Sequence, residues 1–147
     1  MTLHHALDEM NSTLRRTRAR LLAPLDLGQQ VVPDDPEIFV EDVLLYVMDE
    51  WGADLREQGH VLEQDEEWKD EENHFPLFRL HLSGGRTLFL HFTGHYPEHL
   101  HLTVSKAMRR MHQFSDAEMF TFRLPVTMDP NVLLFGLIDG MKQMVIA

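Results

Sequence analysis

Imidazole side chains are the most conspicuous groups in the chain that could do chemistry. Seven of the ten histidines lie between His74 and His112. Histidine there alternates with leucine, which places several imidazoles on one face of a β-sheet. Such a face could hold Zn²⁺, Ni²⁺ or Cu²⁺, because these ions need only three or four nitrogen or oxygen ligands. The candidate metal ligands are His91, His99 and His101. Glu98 or His95 could complete the shell from the adjoining loop.

Carboxylates are the second conspicuous group. Residues 34–72 contain sixteen acidic and two basic side chains, in a chain whose formal net charge is −11. This charge repels phosphates and favours a basic protein surface as partner, so we expect no direct nucleic-acid binding. The alternative is a solvated loop whose charge aids solubility. The predicted partner-binding residues are Glu63, Asp65, Glu66, Glu67, Trp68, Asp70, Glu71 and Glu72.

The sequence lacks the motifs of the common catalytic classes. It contains no cysteine, which excludes disulfides and thiolate chemistry. Ser83-Gly84-Gly85 has the composition of a turn, and no Gly-x-Ser-x-Gly nucleophile motif is present. Phosphate-binding, dinucleotide-binding and zincin motifs are absent as well. We therefore expect a protein that is not an enzyme and needs no cofactor.

Three segments have the apolar period of a helix. The first runs from Leu3 to Leu22 and has one narrow apolar stripe, which suits packing on a neighbouring helix or on a second copy. The second begins with a capping aspartate and a proline, at Asp35-Pro36, and extends to about Glu57. The same pair at Asp129-Pro130 begins the last helix, which is apolar on almost every side.

Two-residue alternation predicts four antiparallel strands between residues 78 and 126. Apolar residues of neighbouring strands share a face if the first two connections span 84–86 and 94–98. The resulting pairs include Leu80 with Leu90 and His91 with His101. Residues 63–73 have no apolar period except at Trp68 and are predicted as a loop. The pattern of residues 106–118 is compatible with a strand, a short helix or a loop.

These elements predict a single α+β domain over residues 1–147, in the order ααββββα, with two N-terminal helices, a four-stranded antiparallel meander and a C-terminal helix. No apolar run approaches the roughly 18 residues that span a bilayer. The first residues also lack the basic and apolar regions of a signal peptide. We therefore expect a cytoplasmic protein without a membrane partner.

Charge and the missing catalytic motifs favour one function. The leading hypothesis is a small, acidic, non-catalytic protein-binding factor, such as an inhibitor, an immunity-type protein or an adaptor. Its residues 34–72 would dock on the basic surface of another protein. The alternative is a metal-binding or metal-dependent protein that uses the histidine cluster. A second alternative is a homodimeric secretion-type chaperone, because small acidic α+β dimers fill that role.

Overall fold

The structure is a computed structural model that describes residues 3–21, 31–68, 70–106, 108–109, 113–114 and 119–146. Its α-helices are α1 (Leu3–Arg20), α2 (Pro36–Phe39), α3 (Leu45–Glu57) and α4 (Pro130–Ile146). One π-helical turn, Val40–Leu44, joins α2 to α3 into a continuous helix. The strands are β1 (Val61–Gln64), β2 (Leu77–His81), β3 (Thr87–His95), β4 (His99–Ser105), β5 (Met108–Arg109), β6 (Gln113–Phe114) and β7 (Met119–Leu124).

The main sheet is antiparallel and has five strands in the order β1-β2-β3-β4-β7. The α+β class is therefore confirmed, and the prediction of four strands is wrong. The additional strand is β1, which begins two residues before the segment 63–73 predicted as loop and includes its first two residues. Its residues are exposed except for the half-buried Leu62, so they carry no apolar alternation from which a strand could be predicted. Within residues 106–118, for which the sequence did not decide between strand, helix and loop, β5 and β6 pair as a separate two-stranded sheet.

Helices cover one face of the main sheet. α4 packs against β7, α3 packs against β1, and α1 lies against both helices. The predicted stripe of α1 is confirmed, because Leu7, Met10 and Leu14 are fully buried. The buried apolar residues described in this helical layer and on the inner sheet face form one hydrophobic core. In the described part of the chain, no helix has the length and apolarity needed to cross a membrane.

The second helix begins as predicted. The Asp35 carboxylate accepts a hydrogen bond from the backbone N–H of Glu37 at 2.9 Å, and Pro36 occupies the first turn. The π-turn was not predicted; it is marked by the N–H of Leu45, which donates to the carbonyl of Val40. Such turns are rare and are frequently found at functional sites.

The predicted register is wrong by two residues in both hairpins, although each residue keeps its predicted face. Leu80 pairs with Leu88, and His91 pairs with Thr103 instead of His101. The first turn begins at Leu82, whose carbonyl accepts from Gly85, one residue earlier than predicted. The second spans Tyr96–Glu98 and is centred one residue later than predicted, which again moves every pair by two.

Candidate functional site

Acidic side chains from several elements meet around the edge strand β1. Three adjoining depressions in the surface are all lined by Gln64, the last residue of β1. The carboxylates around them come from α2, the π-turn, α3, β1 and the loop after β1. They form what we call the acidic face: Glu37, Glu41, Asp49, Glu63, Glu66 and Glu67. Charged side chains on an edge strand also oppose its pairing with another chain.

One arginine of this region, Arg79, is paired with two carboxylates. The Arg79 guanidinium donates through Nη2 to Glu63 Oε1 at 2.9 Å and through Nη1 to Asp65 Oδ2 at 3.0 Å. The hydrogen bond from Arg79 lowers the pKa of Glu63, and the same bond raises the pKa of Arg79. Arg79 is thus bonded to two carboxylates, while the side chains of Glu66 and Glu67 are exposed to solvent.

The loop that carries the acidic run is held by its own polar side chains. Asp65 Oδ1 accepts the N–H of Glu67 at 3.0 Å, and Asp70 Oδ1 accepts the N–H of Glu72 at 2.9 Å. Two aspartate side chains therefore hold the backbone of the loop in place, next to the exposed glutamates Glu67 and Glu72.

Asn73 joins this loop to the sheet. Its buried side chain donates to Asp70 Oδ2 at 2.9 Å and to the carbonyl of Gly94 at 3.1 Å, and it accepts the N–H of Tyr96 at 2.9 Å. The same contacts anchor the turn between β3 and β4. Because Asn73 and Tyr96 are far apart in sequence, this anchor could not be foreseen from local patterns.

The eight predicted partner-binding residues therefore divide into two groups. Asp65 is buried, Asp70 caps the loop, and Trp68 is half-buried with its ring 5.5 Å from that of His91, edge to face. These three stabilise the fold. The carboxylates that face solvent are Glu66, Glu67, Glu71 and Glu72, together with Glu63, which is exposed but paired with Arg79.

Sequence reasoning did not single out three residues of the acidic face, namely Glu37, Glu41 and Asp49. Glu37 and Glu41 lie on the polar side of the second helix and line the same depression as Glu66. The helical period indicated that both face away from the core. The meeting of this helix with the loop after β1 depends on tertiary packing, for which the sequence offered no signal.

The depression that Glu37, Glu41 and Glu66 share is a groove with an apolar floor. It has a volume of about 130 Å³ and lies between the second helix and the loop after β1. The apolar side chains that line it are Val40, Leu45, Trp68 and Pro76. Its remaining described lining residues are Gln64 and His74. The groove combines apolar contact area with carboxylates at its margin.

The predicted metal ligands do not form one cluster. The rings of His99 and His101 lie 5.3 Å apart, and His95 lies 6.4 Å from His99. His91 is separated from this row because it pairs with Thr103 and contacts Trp68. Across residues 3–21, 31–68, 70–106, 108–109, 113–114 and 119–146, no three histidine or acidic side chains are grouped to hold a metal ion. The two-residue error in register is the reason for the difference.

A separate cavity, of about 270 Å³, lies between α1 and the turn after β2. Its most buried polar residue is His60, whose Nδ1 accepts the N–H of Ser83 at 3.0 Å. The ring proton therefore sits on Nε2, which faces Glu9 Oε2 at 3.6 Å.

At the other end of α1, a buried carboxylate joins two helices. Asp54 of α3 is only 4% exposed and accepts hydrogen bonds from Thr17 Oγ1 at 2.6 Å and from Arg20 Nη2 at 3.0 Å. Burial raises the pKa of Asp54, but the hydrogen bonds from Arg20 and Thr17 outweigh it, so the pKa is below its ordinary value. The bonds to Asp54 and Glu50 raise the pKa of Arg20.

Comparison of the chain with protein-family models, with curated proteins and with solved structures finds no match. The function must therefore be argued from the surface itself.

Proposed function

We propose that this protein is a non-catalytic protein-binding factor, of the inhibitor, immunity-type or adaptor kind, whose acidic face docks on the basic surface of another protein. The observation that carries the proposal is the convergence of carboxylates from five separate elements around Gln64 of β1. Acids that were merely solubilising the chain would not need to gather at one place.

Two further features support a docking role. The loop with Glu66 and Glu67 is held by Asp65, Asp70 and Asn73, so little conformational entropy is lost when a partner binds. The second helix also presents Ile38 and Tyr46, which are 42% and 39% exposed. Tyrosine is one of the residue types that contribute most of the binding energy at protein interfaces.

A surface of this kind accelerates encounter with a basic partner. Complementary charge raises association rates, and the gain falls steeply with ionic strength. Contacts at the margin of such a surface change the association rate more than the dissociation rate.

Stopped-flow association with fluorescently labelled polylysine tests the proposal. The face variant carries Glu37→Gln, Glu66→Gln and Glu67→Gln, and the control variant carries Asp8→Asn, Glu98→Gln and Asp139→Asn. Each set neutralises three carboxylates that are at least partly exposed, so both variants have a formal net charge of −8 instead of −11. We expect the association rate at low salt to fall about fivefold in the face variant and much less in the control. Equal rates in the two variants would remove the acidic face from the mechanism.

A further inference from the structure

The cavity between α1 and the turn after β2 is lined by polar side chains and plays no part in the proposed function. Its described lining residues on α1 lie on one face of the helix, at positions i, i+3, i+4 and i+7. They are Glu9, Ser12, Thr13 and Arg16. The segment after α3 adds Gln58 and His60, and the turn after β2 adds Ser83. None of these residues lines the three depressions of the acidic face.

One end of the cavity holds a carboxylate that is short of hydrogen-bond donors. Among the residues that the structure describes, none donates to the buried oxygen Glu9 Oε2. Nε2 of the 4% exposed His60 lies 3.6 Å from this oxygen, and His5 Nε2 lies 3.6 Å from Oε1. Both distances are longer than a hydrogen bond. Buried polar atoms in native proteins usually have a partner, so this carboxylate can take a donor from a ligand.

The Glu9 carboxylate can adapt to such a donor. The last torsion of a glutamate side chain is soft, so the group can rotate and present either oxygen to the cavity. The imidazole of His60 cannot turn as freely, because its Nδ1 accepts the N–H of Ser83 at 3.0 Å. The N–H of its Nε2 therefore stays directed at Glu9 and can hold one carboxylate oxygen while the other binds the ligand.

The other end of the cavity holds a cation. Arg16 lies two helical turns beyond Glu9 on the same face of α1. Its side chain is 52% exposed, and its described ion pair with Glu57 Oε2 is 3.9 Å long. An exposed pair of this length contributes little, so it competes weakly with a ligand. The guanidinium can donate two parallel hydrogen bonds to a ligand carboxylate.

The two charges decide which kind of molecule fits. An anion without an ammonium group would be repelled by Glu9, and a cation without a carboxylate would be repelled by Arg16. A neutral molecule would use neither charge. A zwitterion uses both, because its ammonium group donates to Glu9 and its carboxylate accepts from Arg16. The exposed hydroxyls of Ser12 and Ser83 can bond to polar groups between its ends.

The separation of the two charged residues indicates the length of the ligand. Seven residues of α-helix span about 10.5 Å along the axis. An extended dipeptide is about 7 Å long, and a hydrogen bond of about 3 Å at each end lets it reach both Glu9 and Arg16. The cavity volume of about 270 Å³ equals the space of roughly nine water molecules, which is more than one bound ion or water needs.

We infer that this cavity binds a small zwitterion of dipeptide size, with its ammonium group at Glu9 and its carboxylate at Arg16. His60 is a positioning residue in this site, because it acts on the ligand through Glu9. The inference does not depend on the proposed docking function, since the two surfaces share no described lining residue.

The test is a titration of the intact ¹⁵N-labelled protein with three molecules that share one skeleton. Glycylglycine has both charges, N-acetylglycine lacks the ammonium group, and glycine N-methylamide lacks the carboxylate. The reporter is the backbone amide signal of Ser83, whose N–H donates to His60. The amide of Asn73, which does not line the cavity, is the reference. We expect the Ser83 signal to shift to saturation with glycylglycine and to respond weakly to the other two molecules.

Two pairs of variants with matched charge locate the binding site. Glu9→Gln and Arg16→Gln each remove one of the two charges, and we expect the affinity for glycylglycine to fall about threefold to tenfold in each. Asp8→Asn and Arg15→Gln change exposed neighbours on α1 that do not line the cavity, and we expect little change in affinity. Free glycine has both charges but is shorter, so it should bind more weakly than glycylglycine.

Four results would overturn the inference. The first is a Ser83 signal that does not respond to glycylglycine. The second is equal binding of N-acetylglycine or glycine N-methylamide, which would show that one charge is not recognised. The third is equal binding of glycine, which would contradict the inferred length. The fourth is an equal loss of affinity in the cavity variants and in their controls.

Discussion

Carboxylates at the junction of α1 and α3 and carboxylates around β1 are used in opposite ways. At the junction, Asp54 is buried and bonded to Thr17 and Arg20, and Glu50 accepts a 2.7 Å hydrogen bond from the same arginine. Around β1, Glu66 and Glu67 are exposed, and the nearby Arg79 is bonded to other acids. The acidic side chains of residues 34–72 are therefore of two kinds: some are hydrogen-bonded inside the fold, and others are exposed to solvent.

The largest expected effect comes from removing the buried carboxylate. Asp54→Ala removes the 2.6 Å acceptor of the buried Thr17 hydroxyl, which keeps only the Thr13 carbonyl at 3.1 Å, and it leaves Arg20 with Glu50 as its remaining partner. We expect the free energy of unfolding to fall by about 2 to 3 kcal/mol, as measured by urea denaturation. Asp49→Ala, an exposed acid on the same helix, is the control and should change stability by no more than about 0.5 kcal/mol. Equal losses of unfolding free energy in the two variants would contradict the distinction between the buried Asp54 and the exposed Asp49.

Asn73→Ala tests how much the hydrogen bonds between the acidic loop and the sheet contribute to stability. The variant loses hydrogen bonds to Asp70, Gly94 and Tyr96 from a buried position. We expect a stability loss of about 1 to 3 kcal/mol, with faster hydrogen exchange at the backbone amides of Asn73 and Tyr96. Glu71→Ala, next to the same turn but exposed, should leave those exchange rates unchanged.

The pH dependence of stability should also differ between the regions. The pKa of Asp54 in the folded state lies below its ordinary value of 3.8. Its stabilising contribution is therefore complete above that value and is lost as the pH falls through the folded-state pKa. We expect the stability difference between wild type and Asp54→Asn to be constant from pH 5 to 7 and to shrink on acidification below about pH 4. A difference that stays constant down to pH 2 would contradict the assigned hydrogen bonds.

The smallest expected effect on stability is at the exposed acids. Glu66→Gln with Glu67→Gln should change the free energy of unfolding by no more than about 0.5 kcal/mol, because exposed charges contribute little. Thermal unfolding at low and high salt is the measurement. A large loss would show that these side chains hold the loop and would weaken their assignment to a partner.

Several elements of this fold could be predicted from the sequence because their signals are local. The Asp35-Pro36 helix start and the apolar stripe of α1 both appear where the residues predict them. The faces of the strands were also predicted correctly, since side-chain alternation decides them. The register was not, because a turn that starts one residue earlier moves every pair by two without changing any face.

The candidate site could be predicted only in part. Asp49 and Asp54 lie on one helix and look equivalent as acids, yet one is exposed and the other is buried beneath Arg20. Which acid meets a cation depends on how α1 packs on α3. The groove likewise depends on the meeting of Glu41 with Glu66 across the fold, and composition alone could indicate only the sign of the charge.

The most direct measurement is a map of where a basic probe binds. An arginine- and lysine-rich peptide would be titrated into ¹⁵N-labelled protein, and the backbone amide shifts would be followed along the chain. We predict that the largest shifts cluster at Glu37, Glu41, Gln64 and Glu66, with little change at His99 and His101. Shifts that are spread evenly over the surface, or that centre on the histidine-bearing strands, would contradict the assignment of the acidic face as the docking surface.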